Sequence, residues 1–122
     1  IKFDIKTWNE NLHKALCGVT NKPALENFRL IGEEYIEKRR DLPILTASTL
    51  LIPGYIDAEE VANIAKFIAE INPEIPYTLL AFYPQYRMND LPTTSRRQAH
   101  QCYEEAKKYL RRVRIGNIHL LS

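Results

Sequence analysis

Three short apolar runs, each closing on polar or turn residues and each followed by helical periodicity, constrain the fold of this chain most. Ile1-Lys2-Phe3-Asp4-Ile5-Lys6 is a strand pattern with an acid and a base at its end, and the sequence begins inside it. Ile44 to Ile52 is a second run, stopped by Pro53-Gly54, and Tyr77 to Phe82 is a third, stopped by Tyr83-Pro84. Strand–helix repetition of this kind builds part of an α/β barrel or an open parallel sheet, whose chemistry sits at the carboxyl ends of the strands. The start within a strand suggests that other units of the barrel precede Ile1. The second run alternates weakly, which predicts a strand buried on both faces.

The helices follow from spacing and caps. Trp8, Leu12, Ala15 and Leu16 share one face of a short first helix, which Gly18 can end. Asn21-Lys22-Pro23 opens a longer one with Leu25, Phe28, Ile31 and Tyr35 as its buried stripe. Asp57 with Glu60, and Ser95 with Gln98, read as capping boxes. Val61, Ile64, Ala65, Ile68 and Ile71 mark the third helix, and Ala99, Cys102, Tyr103, Ala106 and Leu110 the fourth. Val113 to Ile118 is a last short strand. Residues 1–122 therefore read as a single partial-barrel fragment: three strand–helix units plus a final strand. A closed eight-stranded barrel would need roughly 250 residues.

Composition excludes more than it selects. The chain is 45% apolar and 26% charged, with a formal charge of +2, as in ordinary soluble proteins. No apolar run reaches the ~20 residues of a membrane span, and no leader is visible, so a cytoplasmic location is expected. Cys17 and Cys102 are too few and too far apart for a cluster or zinc ligand run, and read as reduced thiols on helices. His13, His100 and His119 share no metal spacing and read as surface or capping residues. The basic end, from Arg96-Arg97 to Arg114, reads as a solvated helix face balanced by Glu104 and Glu105. Nucleic-acid binding would call for a larger charge and a recognisable module.

The carboxyl ends of the strands hold the candidate site. Asp4 and Lys6 lie two apart, so on a strand they share a face. Such a pair can grip a zwitterion or, through its carboxylate, a cation; it can equally be a structural ion pair. Pro53-Gly54-Tyr55 either brings backbone close to a ligand or simply stops the strand. Phe82-Tyr83-Pro84-Gln85-Tyr86 either covers a ligand or packs into the core. A loop of about a dozen residues, Tyr83 to Thr94, has the length of functional loops.

Phe3-Asp4-Ile5-Lys6, His13 to Val19, Leu51-Ile52-Pro53-Gly54-Tyr55-Ile56-Asp57, Glu59-Glu60, Ile71 to Tyr77, Ala81-Phe82-Tyr83-Pro84, Asp90 to Thr94 and Ile115 to Ile118, in that order, carry a resemblance. The chain resembles the carboxyl-terminal half of radical S-adenosylmethionine enzymes of the pyruvate formate-lyase activating enzyme type, in the branch found alongside the AMMECR1 and Memo proteins. The resemblance implies the C-terminal half of a partial (β/α)6 TIM-like barrel. It implies a [4Fe–4S] cluster in the full-length protein only, held by a CxxxCxxC loop that this chain lacks. It implies reductive cleavage of S-adenosylmethionine to a 5′-deoxyadenosyl radical that abstracts a hydrogen atom, so the parent would be an enzyme and this chain alone inactive. Asp4, Ile5 and Lys6 match the D-x-K strand end that lines the cofactor site, and Asp4 also matches a ligand for a monovalent cation. Tyr83 stands where the family has a cofactor-contacting His. The implied partners are the small-molecule cofactor and a protein substrate, with neither nucleic acid nor membrane, and the fragment is expected to self-associate through its open edge. Two other readings stand beside this one: a stand-alone binding or scaffold module, and a nucleic-acid-binding domain using the basic last helix.

Overall fold

A computed structural model describes residues 2–38, 45–82 and 93–117. In chain order the elements are β1 (Lys2–Asp4), α1 (Glu10–Cys17), α2 (Lys22–Lys38), β2 (Thr46–Leu51), α3 (Ala58–Ile71), β3 (Tyr77–Ala81), α4 (Arg96–Lys107) and β4 (Val113–Gly116). The strands form one sheet in the order β1-β2-β3-β4, and every neighbouring pair is parallel. Parallel strands in sequential order, joined by crossovers of one hand, carry their helices on one face. This is the α/β arrangement of a TIM-like barrel segment and not the two-sided cover of a doubly wound sheet.

Burial follows from that one-sided cover. Ala47, Thr49 and Leu51 of β2, and Tyr77, Leu79 and Ala81 of β3, are buried, while the residues between them are half-exposed. The expectation that the second strand is buried on both faces is therefore corrected. Its weak alternation arises because Leu50 stands on the open face while Thr49 stands on the covered one. Beneath the helices, the strands share a core with Phe28 of α2, with Val61, Ile64, Ala65, Phe67 and Ile68 of α3, and with Ala99, Cys102 and Ala106 of α4. Burying one such Ile or Leu is worth about 1.5–3 kcal/mol. Phe3 belongs to this side as well: it pairs with Ala47 in register and meets Phe28 edge-on at 5.4 Å.

The helix starts are set by local chemistry. Asn9 caps α1 by accepting from Leu12 N–H at 3.0 Å, and Gly18 ends it at φ 80°, a left-handed conformation that favours glycine. Asp57 accepts from Glu60 N–H at 2.9 Å and Ser95 from Gln98 N–H at 3.0 Å. The return arms of both capping boxes are diverted. Glu60 accepts from Asn9 N–H, and Gln98 donates to the Ile56 carbonyl at 2.7 Å. Caps thus become tertiary ties between successive units. Trp8, expected on the face of α1, precedes that helix and leans on Phe67 at 5.5 Å, and Ala15 is exposed. Gly32 lets α2 approach the end of α3, since a methyl there would come 2.6 Å from Ile71 Cγ2.

Candidate functional site

At the carboxyl end of β1, alternation sorts the residues. Ile5 and Thr7 are buried, and Asp4 and Lys6 point the other way, onto the open face. Lys6 Nζ donates to Asp4 Oδ2 at 2.7 Å, and each side chain is 52% exposed. The bond to Asp4 raises the Lys6 pKa above its ordinary value, against the opposing effect of partial burial. An ion pair this exposed contributes about 0–1 kcal/mol to stability. It presents a carboxylate and an ammonium side by side at a strand end.

Register extends the open face into a row. Asp4 pairs with Ser48, Ser48 with Thr78, and Thr78 with Arg114. With strands about 4.8 Å apart, the backbones of Asp4 and Arg114 stand roughly 14 Å from each other with two hydroxyl residues between them. Arg114 Nε reaches Thr78 Oγ1 at 3.4 Å.

The carboxyl ends of the strands are locked by buried side chains. Thr49 Oγ1 donates to the Ile5 carbonyl at 2.6 Å and accepts from the Tyr77 hydroxyl at 2.7 Å. Burial holds the Tyr77 phenol far above its ordinary pKa, so it serves as a donor. Thr94 Oγ1 donates to the Leu51 carbonyl at 2.8 Å and accepts from Phe82 N–H at 2.6 Å, which ties the ends of β2 and β3 to the start of α4. After β1 the same device recurs. Asn21 Nδ2 donates to the carbonyls of Thr7 and Trp8 at 3.2 and 2.8 Å, Thr7 Oγ1 donates to the Asn9 carbonyl at 3.0 Å, and Glu60 Oε1 accepts from Asn9 N–H at 3.1 Å. Burial pushes the Glu60 carboxyl above its ordinary range, against these backbone bonds.

The structure brings Asp4 and Lys6 together and turns Ile5 inward. Ile5 is buried, its N–H bonds to the Ser48 carbonyl at 2.8 Å and its carbonyl accepts from Thr49. Tyr83 and Tyr86 lie outside the described residues, as does His119. Phe82 is buried. The Pro53-Gly54-Tyr55 turn has Gly54 at φ 81° and Tyr55 41% exposed. Of the two readings of His13, surface or capping, the first is corrected: the residue is buried, and its Nδ1–H donates to the Val19 carbonyl just past α1 at 2.7 Å. His100 is exposed beside Glu104. The basic end is met by carboxylates, with Lys108 on Glu105 and Arg111 on Glu74, each at 3.0 Å.

The backbone bonds made by Thr49, Thr94, Asn21 and Glu60 escaped sequence reasoning. Thr49 sits in an apolar run, where a buried hydroxyl is the one available signal.

Cavities and charge separate the two groups that the resemblance implies. The cleft beside Asp4, Lys6 and His13 encloses about 20 Å³, whereas a cavity of about 430 Å³ opens at the amino ends of the strands, among Lys2, Thr46, Pro76, Arg111, Arg112 and Arg114. The acid–amine pair suits the amino-acid end of a zwitterionic cofactor. The cysteines do not suit a cluster: Cys17 is half-buried at the end of α1, and Cys102 is buried on α4 with its thiol pushed up to about 12 by desolvation. Among the described residues, no group of three or more His, Cys, Asp or Glu side chains could hold a metal ion. Among the same residues, no helix is long and apolar enough to cross a membrane.

Comparison with known proteins points one way. No family model matches the chain. It is 42% identical over 84 residues to the isethionate sulfite-lyase activating enzyme of Desulfovibrio desulfuricans, an alignment covering 68% of this chain and 25% of the relative. It is 41% identical over 59 residues to the indoleacetate decarboxylase activating enzyme of Tractidigestivibacter scatoligenes, covering 48% of this chain and 17% of the relative. A solved domain of the pyruvate-formate lyase-activating enzyme from Bacteroides vulgatus superposes with a TM-score of 0.71 at 26% identity, covering 95% of this chain and 66% of that one. The chain thus spans a quarter or less of the length of these two curated relatives.

Proposed function

This chain belongs by homology with the radical S-adenosylmethionine activating enzymes, and from that premise we propose that it supplies the cofactor-gripping edge of such an activase. In this reading Lys6 holds the carboxylate of S-adenosylmethionine and Asp4 its amine or a monovalent cation beside it. Ile5 turns inward and fixes the strand end. Tyr83 is proposed to face the same cofactor. The cofactor, once bound, supplies hydrogen-atom abstraction, and the protein's share is to bind, orient and exclude water. The substrate is proposed to be a glycyl-radical enzyme. The observation that carries the reading is the Asp4–Lys6 pair: two opposite charges, half-exposed, at the carboxyl end of a parallel strand.

The test is calorimetry of S-adenosylmethionine binding to the intact protein. Asp4→Asn and Lys6→Met should each weaken binding by about 1.5–3 kcal/mol, the worth of a charge-assisted hydrogen bond. Unfolding midpoints should barely move, because the pair is exposed. Unchanged affinity in both variants would make the pair merely structural.

A further inference from the structure

The segment from Ile5 to Asn9 leaves the sheet, yet side chains from three other elements hold its backbone. Thr49 of β2 takes the Ile5 carbonyl. Asn21, just before α2, takes the carbonyls of Thr7 and Trp8 with one amide nitrogen. Glu60 of α3 takes the Asn9 N–H. Thr7 closes on its own loop through the Asn9 carbonyl. Thr7, Asn21 and Glu60 are 0%, 3% and 9% exposed. Burying an amide and a carboxylate is costly unless each is bonded, and an apolar contact would connect β1 to α1 as well. What this network does that apolar packing does not is set the direction of the peptide plane just before Lys6, through the Ile5 carbonyl, and of the two planes after Thr7, through the Thr7 and Trp8 carbonyls and the Asn9 N–H. Since Ile5 and Thr7 point inward, the planes they anchor decide where Asp4 and Lys6 point outward.

We propose that Asn21 and Glu60 are positioning residues for the Asp4–Lys6 pair, acting through the backbone of Thr7, Trp8 and Asn9. Neither touches the pair, and both fix its direction. The proposal rests on the functional reading above for its link to cofactor binding, but its geometric content stands apart from that reading.

Two measurements separate positioning from plain stability. The first is the titration of Lys6 by NMR of ε-labelled lysine, assigned with Lys6→Met. In Asn21→Ala and Glu60→Met the Lys6 midpoint should fall back toward that of Asp4→Asn, because the ammonium no longer meets its carboxylate. Glu60→Gln keeps an acceptor for Asn9 N–H and should stay near wild type. The second is S-adenosylmethionine affinity of the intact protein, which should drop tenfold or more in Asn21→Ala and Glu60→Met and much less in Glu60→Gln. Folded variants with an unchanged Lys6 midpoint overturn the proposal. If Asp4→Asn and Lys6→Met leave cofactor affinity untouched, the functional reading fails while the Lys6 midpoint still decides positioning. Should the variants not fold, amide exchange in the unaltered protein decides: Asn9 N–H should rank with the core strands in protection, and rapid exchange there refutes the idea.

Discussion

The two edges of this sheet are built on opposite plans. At the carboxyl edge, buried hydroxyl, amide and carboxylate side chains bond directly to backbone: Thr49 to Ile5, Thr94 to Leu51 and Phe82, Asn21 to Thr7 and Trp8, Glu60 to Asn9. At the amino edge, neighbouring segments meet through backbone bonds such as Ala47 N–H to Pro76 and Tyr77 N–H to Arg112, and the side-chain ties include the exposed pairs of Glu74 with Arg111 and Arg112. The cavity at the amino edge is wider than the cleft beside Asp4 and Lys6, and the locked geometry lies at the carboxyl edge. A site that must hold groups within tenths of an ångström is marked by what restrains the backbone around it.

The largest way to break this contrast is Thr49→Val, which keeps the shape of the side chain and removes its hydroxyl. The Tyr77 hydroxyl loses its acceptor and the Ile5 carbonyl loses its donor, both in the buried core. Each stranded buried group costs about 1–3 kcal/mol, so a loss of about 2–6 kcal/mol is expected in urea unfolding. Tyr77→Phe in the same background should recover part of that loss, because it removes the orphaned hydroxyl. A Thr49→Val variant as stable as wild type would show that the lock is ornamental.

A second test uses the sign of a titration. The Glu60 carboxyl is held above its ordinary value of 4.5, chiefly by burial. Between 4.5 and its raised folded value, the folded protein keeps a proton that the unfolded chain has released. Glu60 therefore contributes stability that is fully present below 4.5 and is lost as pH rises through the folded value. Asp57 and Glu59 add to the shift by repulsion. Unfolding midpoints measured from pH 4 to 8 should decline more steeply in wild type than in Glu60→Gln. Parallel profiles would mean that Glu60 is as well solvated as any surface acid, which would weaken its place in the lock.

How much of this was legible in the sequence depends on how far apart the partners lie. The strands were readable because each apolar run is bounded by Pro, Gly or charge, and the starts of α3 and α4 because Asp57 and Ser95 cap within three residues. The register row from Asp4 to Arg114 was not readable, since it depends on how four strands align. The clamps were hidden for a related reason. Asn21 acts on residues 13 and 14 positions away, and Glu60 on one 51 away. Local rules assign the first to a helix start and the second to a capping box. Asp4 and Lys6 were legible as a pair, since spacing by two alone puts them on one face.

The smallest effect should come from the other edge, and its smallness is the point. Arg111 Nη1 donates to Glu74 Oε1 at 3.0 Å with the two side chains 76% and 45% exposed. Water solvates both charges in the folded and unfolded states alike, and holding two long side chains together carries an entropic cost. Arg111→Gln should therefore cost at most about 1 kcal/mol, and raising the salt toward 1 M should shrink even that, because screening then acts within about 3 Å. The backbone bonds nearby are untouched by the substitution: Arg111 N–H still reaches the Pro73 carbonyl at 3.2 Å, and Lys107 Nζ still caps the Arg111 carbonyl at 2.8 Å. Comparing Arg111→Gln with Thr49→Val in one urea series measures the asymmetry directly. A salt-independent loss at Arg111 as large as that at Thr49 would mean that the amino edge is also side-chain locked. The restraint around Asp4 and Lys6 would then cease to distinguish their end of the sheet.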